Sequence, residues 1–185
     1  MVKFIYQCFY GLPLSFVIQM MILGIIVWTI LGRLVQEKLH KRLLWKVGNG
    51  VIVCGILVTI GGATLASRSN TTDVCLIPFH SFAEAQVQPE IYRSMLMNVF
   101  LFFPLGLTLP YALPDKWKHQ IVIAILFAFG LSVAIEFLQY YFCLGRAETD
   151  DVICNTLGCI IGTLSFKLEN FISKKLCALS SRQEK

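Results

Sequence analysis

The sequence predicts an all-α integral membrane protein, a bundle of about five transmembrane helices with the N-terminus outside and the C-terminus cytoplasmic. Three observations carry that expectation. First, 56% of the 185 residues are hydrophobic and only 15% are charged, where soluble domains run at roughly 45–50% and about 25%. Second, the mean hydropathy is +0.69, so a soluble fold would lack the polar skin it needs. Third, several apolar runs reach the ~20 residues a helix needs to cross a hydrocarbon core about 30 Å thick.

Those runs are roughly Leu12–Leu31, Val47–Ala66, Met95–Leu113, Ile121–Phe142 and Val152–Ile172. The first is too long for a signal-peptide core and has no small-residue cleavage site, so it reads as a retained span. The second is rich in Gly, and the third contains Pro104 and Pro110. Both residue types are tolerated in membrane helices, where neighbouring helices satisfy the freed backbone groups. The fifth turns polar at Lys167.

Orientation follows from the basic residues. Twelve of the 16 Lys and Arg fall in the connection from Arg33 to Lys46, at Lys116 and Lys118, and from Lys167 to Lys185. Lys3, Arg68, Arg93 and Arg146 belong to the other side. The richer side is cytoplasmic by the positive-inside rule. The net charge of +5 therefore reports topology, and no motif points to a nucleic-acid partner. The chain divides into residues 1–66, two helices joined by a basic cytoplasmic loop; 67–172, an extracytoplasmic loop and three helices; and 173–185, a basic tail. The long loop carries "TTDVCLIPFHSFAEA", an apolar, Pro-containing piece that reads as re-entrant or interfacial.

The seven Cys show no metal-binding spacing, and no metal or cofactor is expected. Cys75 and Cys143 fall on the same side and form a candidate disulfide pair.

Polar residues inside the spans collect at their outer ends. Ser132, Glu136, Gln139 and Cys143 follow one stripe of the fourth helix, and Asp151, Asn155, Gly158 and Gly162 one stripe of the fifth. A short loop with Arg146, Glu148 and Asp150 joins the two helices. Their stripes are expected to face each other across an outward pocket, with Arg93 and Asn98 of the third span nearby. Gly158 and Gly162 form GxxxG, which permits close helix approach. Plainer roles stand beside these: Asp150 as an N-cap with Asp151 on the helix dipole, and Gln19 and Asn98 as interhelical hydrogen-bond glue. Glu136 is the sharpest candidate. A carboxylate at a helix centre costs about 2.5–3.5 kcal/mol on insertion scales and marks a functional site by default; its structural alternative is an ion pair with Arg146 or Arg93.

The pieces "LIPF" (Leu76–Phe79), "RSMLMNVFLFFPLG" (Arg93–Gly106), "IEFLQ" (Ile135–Gln139) and "RAETDDVICNTLGCIIG" (Arg146–Gly162) resemble the VanZ-like family. The resemblance covers about Leu76 to Ser165. It implies a multi-pass protein of the bacterial cell membrane, in a family named for teicoplanin resistance, and carries over Asn98, Pro104, Gly106, Glu136, Gln139, Arg146, Asp150, Asp151, Asn155 and Gly158. It brings no established reaction.

Three functions compete. One is an outer-leaflet site for a cell-envelope lipid, a lipid-linked cell-wall precursor or a lipoglycopeptide. There Arg146 and Arg93 would meet phosphate or carboxylate, and Asn98, Gln139 and Asn155 amide or sugar groups. Another is a membrane enzyme with Glu136 and Asp151 as candidate catalytic groups; in a variant of it, Glu136, Asp150 and Asp151 share a divalent metal. The third is a structural partner of envelope proteins.

Overall fold

The computed structural model describes residues 14–36, 39–65, 73–114 and 117–183. Its elements, in order, are α1 (Leu14–Gln36), α2 (Leu39–Leu65), β1 (Val74–Cys75), α3 (His80–Glu84), α4 (Pro89–Ala112), α5 (Gln120–Tyr141), β2 (Ala147–Glu148) and α6 (Thr149–Gln183). Five helices are long and apolar enough to cross a membrane: Ser15–Val35, Leu43–Leu65, Glu90–Ala112, Gln120–Tyr141 and Thr149–Leu176. All five expected spans are present. Their expected outer limits Leu12 and Ala66 lie outside the described residues, as do Lys3, Lys38, Arg68, Lys116 and Lys185.

Two boundaries differ from expectation. Arg33 sits in the last turn of α1, and Lys41, Arg42 and Lys46 sit in the first turns of α2, so most of the basic loop is helical. Likewise α6 runs 35 residues, and the basic tail continues the fifth span to Gln183. No Gly or Pro follows Gly162, so nothing local stops the helix where hydropathy ends.

The hub is α4. Across its span 67% of residues are buried, against 22% for α1, 17% for α2 and 22% for α5. Phe102 and Leu105 of α4 are fully buried among Ile60, Ala124, Ala128 and Cys159, while Phe103 and Leu107 pack on Val17 and Met21 of α1. The outer faces carry exposed Ile22 and Ile26 of α1, Val51 and Val58 of α2, and Leu126 and Phe129 of α5, the surface a helix bundle shows to lipid.

The closest helix approach joins α4 to α6. A Cβ on Gly158 would strike the carbonyl of Val99, one on Gly162 that of Phe103, and one on Gly106 that of Cys159. Positions 99 and 103 thus meet 158 and 162 in the same order, so the two helices run parallel. The GxxxG stripe was expected to serve the α5–α6 hairpin; it serves α4, because Gly106 supplies the matching flat face. Between α5 and α6 the links are polar: Asn155 donates to Ser132 Oγ at 2.8 Å, and the Cys159 thiol points at the Ala124 carbonyl at 3.6 Å.

One end of the bundle is built from loops. β1 and β2 pair in parallel, Val74 with Ala147 and Cys75 with Glu148. The Ala147 amide extends this ladder to the Asp73 carbonyl at 3.0 Å. Two loops far apart in sequence, after α2 and after α5, are thereby tied together. Cys75 and Cys143 are both free thiols, so the candidate disulfide is not formed.

Candidate functional site at the loop end

The loop end is organised around Asp150, in the first turn of α6 and 1% exposed. Its Oδ1 accepts from the Phe79 amide at 2.6 Å and its Oδ2 from the Ser81 amide at 2.7 Å. The expectation that Asp150 caps its own helix is therefore corrected: its carboxylate holds the start of α3 instead. The backbone at Phe79 is left-handed, with φ 65°, a conformation that a side chain makes costly by roughly 1–2 kcal/mol. Two charge-assisted bonds to the flanking amides, each worth about 1.5–3 kcal/mol, are enough to hold it.

A second layer adds Ser81, Glu148 and Glu136. The Ser81 hydroxyl donates to Glu148 Oε2 at 2.6 Å, and the Glu148 amide donates to Glu136 Oε2 at 2.9 Å. Glu136 is buried and accepts this amide, while Arg146 lies against two other acids. Arg146 Nε lies 3.5 Å from Glu148 Oε1, and an Arg146 Nη lies 3.8 Å from Glu84 Oε2, with His80 Nδ1 3.6 Å from that same Glu84 oxygen. Burial opposes the charge on Arg146, yet the Cys75 thiol and the Glu148 and Glu84 carboxylates outweigh it and hold its pKa above the ordinary arginine value.

The carboxamides lie deeper. Gln139, 1% exposed, donates to the Thr64 carbonyl at the end of α2 at 2.8 Å, which ties α5 to α2. Asn155 binds Ser132, as the stripes on α5 and α6 require. Each still has an unspent atom, Gln139 Oε1 and Asn155 Oδ1, and Asn98 Nδ2 on α4 is a third. Buried polar atoms of this kind are uncommon and ask for a reason. Arg93 is exposed near the start of α4 and Asp151 is half-buried in the first turn of α6, while Gln19 faces outward from α1 rather than into the bundle.

Two features were not foreseen. The Asn155–Ser132 bond joins the α5 and α6 stripes, and an apolar cleft of about 340 Å³ lies between α3, α4 and α6, lined by Phe82, Ala85, Leu96, Val99, Cys154 and Leu157 among others. The five-residue helix α3 separates it from the charged groups. Its Phe82 faces the cleft, its Glu84 meets Arg146 with His80 beside that Glu84, and its Ser81 points inward to Glu148. The alternation in "HSFAE" was the available signal, but a five-residue helix is too short for periodicity to declare.

The second surprise is at the opposite end. Polar groups were expected almost wholly at the outer ends. Yet Glu169 of α6 is fully buried, and the Trp28 indole donates to Asn49 Oδ1 at 3.1 Å. Trp45 lies between Trp28 (6.1 Å) and Tyr111 (5.8 Å), and Tyr111 meets Phe166 edge-on at 4.9 Å. An acid inside the apolar run that follows Lys167 was the signal that could have found it.

Among the described residues no group of three or more His, Cys, Asp or Glu is placed to hold a metal ion. Both Asp150 oxygens are engaged by backbone amides.

Comparison with known proteins follows the same geometry. A family profile described as VanZ/LLP1 matches residues 50–171, from within α2 through most of α6. Over 81 residues the chain is 35% identical to Protein VanZ of Enterococcus faecium, a stretch covering 43% of this chain and 47% of that protein. The match thus spans about half the length of the curated relative. No solved structure matches the chain.

Proposed function

The chain belongs to the VanZ/LLP1 family, and from that premise we propose that it sits in the bacterial cell membrane with its loop end at the outer leaflet and binds an amphiphile there. The ligand classes are a cell-envelope lipid, a lipid-linked cell-wall precursor or a lipoglycopeptide, with a role in teicoplanin resistance as the corresponding phenotype. The observation that carries this reading is the two-faced helix α3, with an apolar cleft on one side and the Arg146 cluster on the other. An amphiphile needs both.

Magnitudes favour Arg146 as the exchangeable contact. Its ion pairs are long and partly exposed, and pairs of that kind contribute at most about 1 kcal/mol. A ligand phosphate or carboxylate approaching in forked geometry can displace them. Arg93, exposed at the same end, supplies a second cation. Asn98, Gln139 and Asn155 offer one donor and two acceptors to amide or sugar groups. Asp150 and Glu136 then fix the loops that frame the site, with Asp151 beside them in the first turn of α6. This arrangement favours binding over proton transfer, since Asp150 and Glu136 accept backbone amides.

The test expresses Glu136→Gln, Arg146→Ala and Asp151→Asn at matched membrane levels and compares teicoplanin with vancomycin susceptibility and lipid-linked precursor pools. Stable variants should shift one of these away from wild type. Unchanged susceptibility and pools in all three would reject the reading. Impermeant thiol labelling of Glu148→Cys should succeed from outside the cell; labelling from the cytoplasmic side alone would invert the orientation.

A further inference from the structure

We propose that the cleft between α3, α4 and α6 takes one acyl chain of a bilayer phospholipid. The inference rests on the amphiphile reading above and assigns its apolar half.

The first argument is continuity with the lipid-facing surface. Leu157, which lines the cleft, begins a stripe on α6 that continues through Ile160, Leu164 and Leu168, all exposed. Their spacing of three and four residues keeps them on one helix face. The cleft therefore opens at the head of a lipid-facing stripe, where the nearest solvent is hydrocarbon chain. Phe82 and Tyr92, on its other walls, are also partly exposed, so an entering chain need not displace a core residue.

The second argument is depth. The α4 wall runs from Tyr92 to Val99, about 10 Å at 1.5 Å per residue. That fits within one leaflet of a ~30 Å hydrocarbon core. The third is chemistry. An apolar cavity offers water too few partners to hold it, and walls facing empty space forfeit dispersion contacts. A chain restores those contacts. It gains little else, because lipid tails are as apolar as the walls. The cleft thus selects by shape, and the polar groups beyond α3 select the head group.

The experiment uses the full chain in vesicles of phosphatidylglycerol and phosphatidylcholine containing a phosphatidylglycerol with a mid-chain diazirine. After irradiation, cross-links are mapped by mass spectrometry. Labelling at Leu96, Val99 and Leu157 should exceed that at Leu126 and Phe129 on the outer face of α5 by about fivefold or more, equivalent to roughly 1 kcal/mol of preference. Ala85→Phe, which fills the cleft from the α3 side, should reduce cleft labelling to the α5 level and leave α5 labelling unchanged. Leu157→Trp should do the same from α6. Cleft labelling equal to α5 labelling in the wild type, or unaffected by both fillings, overturns the inference. Arg146→Ala, scored for binding of a lipid-linked precursor, tests the polar side separately: head-group binding without cleft labelling sinks the acyl-chain inference alone, and cleft labelling without Arg146-dependent binding sinks the polar mouth alone.

Discussion

The two ends of the bundle use polar groups in different ways. At the loop end, Asp150 and Glu148 bond to Ser81, joining segments about 70 residues apart in sequence, Glu136 holds Glu148 from α5, and Arg146 stays half-exposed above them. At the opposite end, Asn49 and Glu169 are buried, Asn49 accepts from the Trp28 indole, and the rings of Trp28, Trp45, Tyr111 and Phe166 touch in series. Unspent hydrogen-bonding atoms occur at both ends, with Arg33 Nη1 and Trp45 Nε1 at the latter. Unspent capacity therefore does not by itself mark a site. What distinguishes the loop end is a weakly held cation beside an apolar cleft.

The comparison breaks most completely where the ends share a support. Gly158→Val would push a side chain into the Val99 backbone and should cost about 3 kcal/mol or more. It should lower the melting temperature in detergent and loosen both ends together; loosening of one end alone would mean that the α4–α6 crossing is not the common frame. Next comes Asp150→Asn. An amide in place of the carboxylate can keep one of the two bonds, and its NH2 opposes the other backbone N–H. The expected cost is about 2–3 kcal/mol, with faster amide exchange at Phe79 and Ser81 and unchanged exchange around Trp28 and Asn49.

These two variants also separate what was legible in the sequence from what was not. Gly158 and Gly162 are visible as close-packing positions from their GxxxG spacing, and Gly106 as a position that the family resemblance carries over. Which helix they meet was not visible, because hydropathy places a helix in the membrane without giving its neighbours. Ser132 and Asn155 were found on matching stripes and do bond. Asp150 was found, but its partners lie in a loop whose left-handed turn at Phe79 leaves no trace in periodicity. Glu169 escaped because it stands two residues after Lys167, where the fifth span turns polar, yet the helix continues there and buries it.

Smaller effects sharpen the contrast. Trp28→Phe removes the bond to Asn49 and should cost about 1 kcal/mol, read as a modest fall in melting temperature with ligand binding retained. Cys143→Gly should raise stability by about 1 kcal/mol: the residue has φ 53° where α5 ends, with Leu144 N–H bonded back to the Gln139 carbonyl, a helix stop that favours glycine. A fall in melting temperature would refute that account of the turn.

Arg146→Ala should change stability least, by under about 1 kcal/mol, and binding most. The deciding measurement is the affinity of the purified full chain in nanodiscs for a lipid-linked cell-wall precursor, comparing Arg146→Ala with Trp28→Phe. The account predicts at least about a tenfold loss for the first, equivalent to 1.4 kcal/mol, and wild-type affinity for the second. Equal affinities in the two variants would contradict the assignment of the loop end as the binding site.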